Sequence, residues 1–229
     1  MDAQREAAVS VPFVGCKSDG QLGPMEAPSG KTKSVPIGPQ AAQQLAYYES
    51  AQGVGVLAPR GWYRFGTYGS GGNFLHLSSQ PINSAIIFTD KWKGFNGLAI
   101  ELGYTYGSTS GRFTVAEVIA RVFPAYTAFV TTLRQGHDLL GSDFPSGPYP
   151  TDKLAYKSDR IVEYQTPPST DGLGTQPWVK KNASPIDGVA MLIGETPDLV
   201  LLSVRLPSEL TRLTPAIVGQ LERDAPRFQ

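Results

Sequence analysis

Cysteine and histidine are scarce in this chain. Cys16 is the only cysteine among 229 residues, so a scaffold of internal disulfides is excluded. The two histidines, His76 and His137, lie at least 60 residues from Cys16 and from each other. This spacing does not match that of the ligands in zinc-binding motifs. Ser29–Thr32 reads Ser-Gly-Lys-Thr, but Met25 stands where a phosphate-binding loop needs glycine. We therefore expect neither a metal site nor a cofactor.

Charge is also low and balanced. Lysine plus arginine and aspartate plus glutamate number 20 each, and charged residues make up 17% of the chain, against about 25% in an average protein. No basic stripe indicates a nucleic-acid partner. No apolar run reaches the roughly 18–20 residues of a membrane span. The expected partners are therefore another protein, a small molecule or a carbohydrate.

The location follows less directly from composition. Low charge and many loop residues (25 glycines and 19 prolines) favour a periplasmic or secreted protein. The first ten residues contain no basic segment followed by an apolar one, so they do not read as a signal peptide. A cytoplasmic location is therefore the alternative to export.

The clearest helical pattern covers residues 113–135. Apolar side chains recur there at spacings of three and four residues and extend onto the flanks, which is typical of a buried helix. Pro124 removes one backbone donor and clashes with the carbonyl of Ala120. We expect a kink there, or two helices that meet at Phe123.

Short alternating segments separated by turns predict strands on both sides of this helix. The pattern predicts a hairpin over 62–67 and 73–79, a half-buried strand over 97–106, a pair over 153–156 and 160–166, and a hairpin over 189–193 and 199–206. Shorter strands are expected at 54–57 and 85–89, and short helices at 39–52 and 208–224. The predicted class is α+β: a mainly antiparallel sheet packed against a long central helix and a C-terminal helix.

The expected organisation is a disordered terminus over residues 1–10 and a single domain over 11–229. Five prolines and five glycines in residues 11–40 argue against a long helix or a central strand there. We expect that segment to wrap the domain.

A cysteine nucleophile is the first catalytic possibility. Cys16 lies in a glycine-rich stretch beside Lys17, whose charge would lower the thiol pKa. Its base would be His76 or His137, and Asp19 or Asp138 is a candidate for orienting that base. The alternative is a buried, unreactive cysteine.

A ligand site is the second possibility. Aromatic residues gather near loops and strand ends, and Trp62 and Tyr68 are candidates for a binding platform. The loop 107–111 precedes the long helix, so its amides, with Ser110 and Arg112, could hold an anion. The alternatives are ordinary packing and an ordinary helix-capping turn.

Three segments carry a resemblance: VPFVGCKSDGQLGP at 11–24, GWYRFGTYGS at 61–70 and YPTDK at 149–153. They resemble a family of uncharacterised bacterial proteins made with signal peptides, from residue 11 to the C-terminus. The resemblance implies export and no particular activity. It also implies a second cysteine at the position of Arg64, which would have been a disulfide partner for Cys16.

The favoured hypothesis is therefore an exported binding or accessory protein without catalysis of its own. The alternative is a cysteine-dependent hydrolase or acyltransferase that uses Cys16 with His76 or His137.

Overall fold

The structure is a computed structural model that describes residues 8–53, 55–137 and 144–225, with the backbone alone for His137. The strands are β1 Ala8–Cys16, β2 Ser18–Gly20, β3 Thr32–Pro36, β4 Leu45–Ser50, β5 Gly55–Pro59, β6 Tyr63–Gly69, β7 Gly72–Ser78, β8 Ala99–Thr105, β9 Lys153–Tyr156, β10 Ile161–Thr166, β11 Ile186–Ile193 and β12 Asp198–Arg205. The α-helices are α1 Pro39–Gln44, α2 Arg112–Val122, α3 Thr127–His137 and α4 Thr214–Asp224.

The strands form two sheets. The larger has eight strands in the order β2-β6-β7-β8-β12-β11-β10-β9, and every pairing except β2–β6 is antiparallel. The smaller has four strands in the order β3-β1-β4-β5, with β1 and β4 parallel. The predicted α+β class with mainly antiparallel sheets is confirmed.

The larger sheet lies between two apolar cores. One face packs against the smaller sheet and α4, through residues such as Leu75, Ile100 and Leu202. The opposite face packs against α2 and α3, through Leu199 and Leu201 among others. Because both faces are covered, all seven residues of β8 are buried. The strand predicted to be half-buried is therefore fully buried.

The expected long central helix is not a single helix. It consists of α2 and α3, separated by a 3-10 turn over Pro124–Tyr126. Phe123 adopts a non-helical backbone conformation with φ −123° and ψ 71°, as the clash imposed by the following proline requires. The pair covers one face of the larger sheet and forms an outer layer.

The N-terminal segment also differs from expectation. Residues 8–10 begin β1, and residues 1–7 lie outside the described part of the chain. β1 is central in the smaller sheet despite Pro12. The proline is tolerated because it stands where β1 changes partner: residues 8–12 pair with β3, and residues 13–16 pair with β4.

Two shorter predictions are wrong. The helix expected over 39–52 ends at Gln44, and residues 45–50 form β4, where buried Tyr47 and Tyr48 pack well in a sheet. The strand expected over 85–89 is absent, and a 3-10 turn at Ser84–Ile86 stands there. Tertiary packing outweighs local propensity in β4, whereas the turn at Ser84–Ile86 is mostly exposed and is capped locally by the Asn83 side chain, which accepts a hydrogen bond from the amide of Ala85.

Candidate functional site

Two ionisable residues lie side by side on the helix-facing side of the larger sheet. His76 on β7 is paired in register with Glu101 on β8, and Glu101 is paired with Ser203 on β12. Residues directly opposite on neighbouring strands share a face, with Cβ atoms about 5 Å apart. An acid and a base are thus placed together beneath the helical layer.

Glu101 is buried without a partner. Its relative exposure is 2%, and neither carboxyl oxygen makes a hydrogen bond of normal length and angle within the described structure, although the backbone of Trp178 and the charge of Lys180 lie near it. Burial raises the pKa of Glu101 well above its usual value, and the charge of Lys180 and the backbone of Trp178 offset this only in part. The side chain therefore keeps its proton to a higher pH than an exposed glutamate does.

His76 is equally buried, at 1% exposure. Its Nε2 lies 3.1 Å from Thr67 Oγ1, while Nδ1 has no partner within the described residues. Burial lowers the pKa of His76 to about 3, because the apolar surroundings disfavour the imidazolium. Such a weak base is poorly suited to activate the Thr67 hydroxyl.

Glu101 opens into a cavity of about 180 Å³ between α2 and the sheet, here called the inner cavity. Its apolar walls include Val118, Leu199 and Leu201. The polar groups that line it are Glu101, Thr105, Thr114, Glu117, Arg121 and Gln176.

The cationic side chain of the inner cavity is already engaged. Arg121 donates to the carbonyl of Gly147 at 3.3 Å, and its guanidinium lies 4.3 Å from the centre of the Tyr149 ring. Gln176 donates to the Tyr149 hydroxyl at 3.2 Å. These contacts fix the wall formed by residues 147–149 against α2.

A second space of about 340 Å³, the outer groove, adjoins the inner cavity. Both spaces are bordered by Phe74, Thr105 and Thr114. The other residues of the outer groove include Tyr68, His76, Phe88, Ser110 and Trp178. Together the two spaces form a cleft that runs along the helix-facing side of β7 and β8.

Arg205 ties together the loops that border this cleft. Its side chain is 1% exposed, and it donates to the carbonyls of Gly97 at 3.1 Å and Asn96 at 3.5 Å, and to that of Lys180. No carboxylate lies within ion-pair distance of it among the described residues. Burial lowers the pKa of Arg205 to about 10, so the guanidinium remains charged at neutral pH.

Cys16 lies elsewhere. It is fully buried in the core between the two sheets, where it packs with the apolar cluster that includes Leu75 and Leu77. Those two residues flank His76 on β7, and their side chains point to the opposite face. The sheet therefore separates Cys16 from His76, and the structure does not bring them together.

Burial also opposes a nucleophilic role for Cys16. It raises the pKa of the thiol to about 12, although the nearby charge of Arg64 acts in the other direction. Arg64 Nε donates to the carbonyl of Gly15 at 3.2 Å, so the position implicated by the family resemblance does adjoin Cys16. The surroundings are those of a structural cysteine.

This placement predicts slow labelling of Cys16. In the native protein at pH 8, reaction with Ellman's reagent is expected to be at least about a thousandfold slower than after unfolding in guanidinium chloride, because the thiol reacts only when the core opens. A matched control carries Cys16→Ser and Ser34→Cys, since Ser34 is exposed on β3. If native Cys16 reacts as fast as this control, the thiol is accessible and the catalytic alternative gains support.

The remaining catalytic candidates are dispersed. Asp19 lies on the edge strand β2, where its Oδ1 accepts a hydrogen bond of 2.8 Å from the amide of Gly20. His137 ends α3, in the layer on the far side of the larger sheet from Cys16, and its side chain and Asp138 lie outside the described residues.

Two of the four ligand-binding candidates border the outer groove. Tyr68 and Ser110 do so, and the Ser110 hydroxyl lies 3.2 Å from that of Ser70. Trp62 is 8% exposed and belongs to the core between the sheets. Arg112 contacts the carbonyl of Thr109 and lies over its neighbour Phe113, outside both spaces.

Three amides around the start of α2 are not free to hold an anion. The amide of Gly107 donates to Asp198, that of Gly111 to the Thr109 hydroxyl, and that of Arg112 to the Thr109 carbonyl. Sequence spacing predicted a helix N-terminus correctly, but the amides there already have partners.

The principal site residues were not predicted. In isolation, Glu101 occupies the polar side of an alternating strand and reads as solvent-facing. Glu117 and Arg121 read as the polar strip of a helix. Their meeting depends on α2 crossing the sheet at β8, which no spacing within either segment indicates.

The described residues contain no group of three or more histidine, cysteine, aspartate and glutamate side chains placed to hold a metal ion. In the same part of the chain, no helix combines the length and the apolarity needed to cross a membrane. Comparison with protein-family models, curated proteins and solved structures finds no significant match to this chain.

Proposed function

We propose that this protein is a binding or accessory protein that takes a small molecule in the inner cavity and performs no catalysis of its own. The observation that carries the proposal is the partnerless Glu101 carboxyl, 2% exposed, on the floor of that cavity. A buried polar group without a hydrogen bond costs about 1–3 kcal/mol, so its retention is typical of a functional position.

The size and walls of the cavity limit the ligand. A volume of about 180 Å³ is below the roughly 300–1,000 Å³ of sites for drug-sized molecules. Val118 and Leu201 offer apolar contact, and Glu101 and Gln176 offer hydrogen bonds. This combination suits a small ligand with an apolar part and one polar end.

The absence of catalysis is supported by the surroundings of the nucleophile and base candidates. Cys16 and His76 lie on opposite sides of the larger sheet. The pKa of the thiol is raised to about 12, which favours the unreactive thiol over the thiolate, and that of the imidazole is lowered to about 3, which makes it a weak base.

Filling the cavity tests the proposal. A defined library of alcohols, amides, amines and carboxylates of up to about ten heavy atoms is screened by ligand-observed NMR. At least one compound is expected to bind the wild type, and to bind Val118→Phe at least about tenfold more weakly, because the added ring occupies the cavity.

Ala51→Phe is the matched control, since it adds the same ring at an exposed turn between β4 and β5. Leu201→Phe fills the cavity from the sheet and replaces Val118→Phe if that variant is unfolded by circular dichroism. The proposal fails if no compound binds, or if every bound compound binds the filled variants and the control equally.

We also propose that the protein acts outside the cytoplasm, in the periplasm or after secretion. The low fraction of charged residues, 17%, and the resemblance to exported bacterial proteins support this location. Fractionation of the source cells, with antibody detection beside cytoplasmic and envelope marker proteins, is expected to place the protein with the envelope or the medium. Recovery with the cytoplasmic markers would contradict it.

A further inference from the structure

Three buried polar atoms in the lining of the inner cavity make no hydrogen bond within the described residues: both carboxyl oxygens of Glu101 and Nε of Arg121. Glu101 makes no hydrogen bond, and Glu117, on the facing helix, has no ion-pair partner among the described residues. The guanidinium of Arg121 is held by the Gly147 carbonyl and the Tyr149 ring. The two carboxyl groups therefore leave more acceptors unmatched than the single free Nε–H of Arg121 leaves donors.

The rest of the lining favours hydrocarbon. Val118, Leu199 and Leu201 lie on the walls, and all three are buried. An ammonium group with a short alkyl chain matches this arrangement, since the charge reaches the acids while the chain contacts the apolar walls. A carboxylate or phosphate ligand would place a second negative charge beside Glu117.

We propose that the ligand of the inner cavity is a small alkylammonium compound, held by Glu101 and Glu117 through its charged group and by Val118, Leu199 and Leu201 through its hydrocarbon part. This inference rests on the proposed binding function and specifies the chemical class of the ligand.

Binding would be coupled to proton release. In the free protein, burial raises the pKa of Glu101, so the carboxyl group holds its proton to a higher pH than an exposed glutamate does. When the ammonium group arrives, the O–H bond of Glu101 breaks, its proton passes to the buffer, and the carboxylate pairs with the cation. The ionisable groups around Glu101 are His76 on β7, Glu117 and Arg121 on α2, Tyr149, Tyr164 on β10 and Lys180.

The two buried neighbours with perturbed pKa values, His76 and Tyr164, do not replace Glu101 as the titrating group between pH 6 and 8. His76 stays neutral, since its pKa is lowered to about 3, and burial raises the pKa of Tyr164. Lys180 donates to the carbonyl of Pro177 at 3.3 Å. The pH dependence of binding therefore reports on Glu101.

The experiment compares butylamine with butan-1-ol, which has nearly the same size and no charge. Affinities are measured by titration calorimetry and ligand-observed NMR at pH 6, 7 and 8. Wild type is expected to prefer butylamine at least about tenfold at pH 7. Its affinity for butylamine is expected to rise with pH by up to about tenfold per unit, with one proton released per ligand.

Glu101→Gln keeps the shape of the side chain and removes the ionisable group, so the preference is expected to fall below about threefold and the pH dependence to disappear. Glu195→Gln changes an exposed glutamate in the turn between β11 and β12, and is expected to behave as wild type. If Glu101→Gln does not fold, the wild type alone tests the proposal, through its preference for butylamine over butan-1-ol and the proton released on binding.

The outcomes separate the two proposals. Equal binding of butylamine and butan-1-ol, lost in Val118→Phe, overturns the ammonium assignment and leaves the binding function standing. Binding of neither probe, with another library compound bound in the cavity, does the same. If no compound depends on the cavity, both proposals are overturned.

Discussion

Replacing Arg205 by methionine is expected to lower the free energy of unfolding by about 4 kcal/mol, because hydrogen bonds from a charged group contribute about 1.5–3 kcal/mol each. Methionine keeps the length of the apolar stem but leaves the carbonyls of Asn96, Gly97 and Lys180 without donors. For a chain of this size the loss corresponds to a fall in melting temperature of roughly 8–16 °C. Urea denaturation and calorimetry measure it.

Arg212→Met is the matched control. Arg212 is exposed and also donates to a backbone carbonyl, that of Glu209. Its loss is expected to change stability by less than about 0.5 kcal/mol. Arg205→Lys should recover less than half of the loss, since one ammonium group cannot span the three acceptors. A loss below about 1 kcal/mol in Arg205→Met would show that the loops hold together without the guanidinium.

The second large effect concerns acid stability and His76. The pKa of an unfolded histidine is about 6.5, and burial lowers that of His76 to about 3. The unfolded chain therefore binds a proton at pH values where the native protein does not. Stability is complete above pH 6.5 and is lost as the pH falls towards 3, with about 3 kcal/mol gone by pH 4.

His76→Phe isolates this contribution. Phenylalanine keeps an aromatic ring beside Phe74 and Phe95 and cannot be protonated. The difference in stability between wild type and variant, measured by urea denaturation from pH 7 to 4, is expected to move in favour of the variant by about 3 kcal/mol. Carboxyl groups elsewhere titrate in both proteins, so their contributions cancel in the difference in stability. A constant difference would mean that His76 is protonated in the native state at little cost.

Glu101 acts on stability with the opposite sign. Its folded pKa lies well above that of an unfolded glutamate, about 4.3, so its contribution is complete below pH 4.3 and is lost as the pH rises. Native stability is thus reduced by His76 in acid and by Glu101 towards alkaline pH. The combined effect of these two residues is a maximum in stability at an intermediate pH.

Much of the architecture could be predicted because it depends on local alternation and turns. The hairpin of β6 and β7 and that of β11 and β12 follow from their residue patterns. The break at Pro124 follows from the missing backbone donor. The division into two sheets could not be predicted, since it depends on β1 pairing with β4 across 34 residues.

The site was less predictable than the fold. Tyr68 and Ser110 were identified as binding candidates from their loops, and both border the outer groove. Glu101 and Glu117 were not identified, because each looks like an ordinary solvent-facing residue in its own segment. They line a cavity only because α2 packs over β8. That tertiary contact is not indicated by the residue pattern of either segment.

The position of β8 between β7 and β12 has a consequence for synthesis. Residues 99–105 pair with residues 199–205, so the two strands are about a hundred residues apart in the chain. At a translation rate of 5–20 residues per second, β12 emerges from the ribosome roughly 5–20 seconds after β8. During that interval the β6–β7–β8 meander presents an open, apolar edge to the cell. We therefore expect chaperones to bind the nascent chain during this interval. Long-range pairing of this kind also slows refolding of the complete chain.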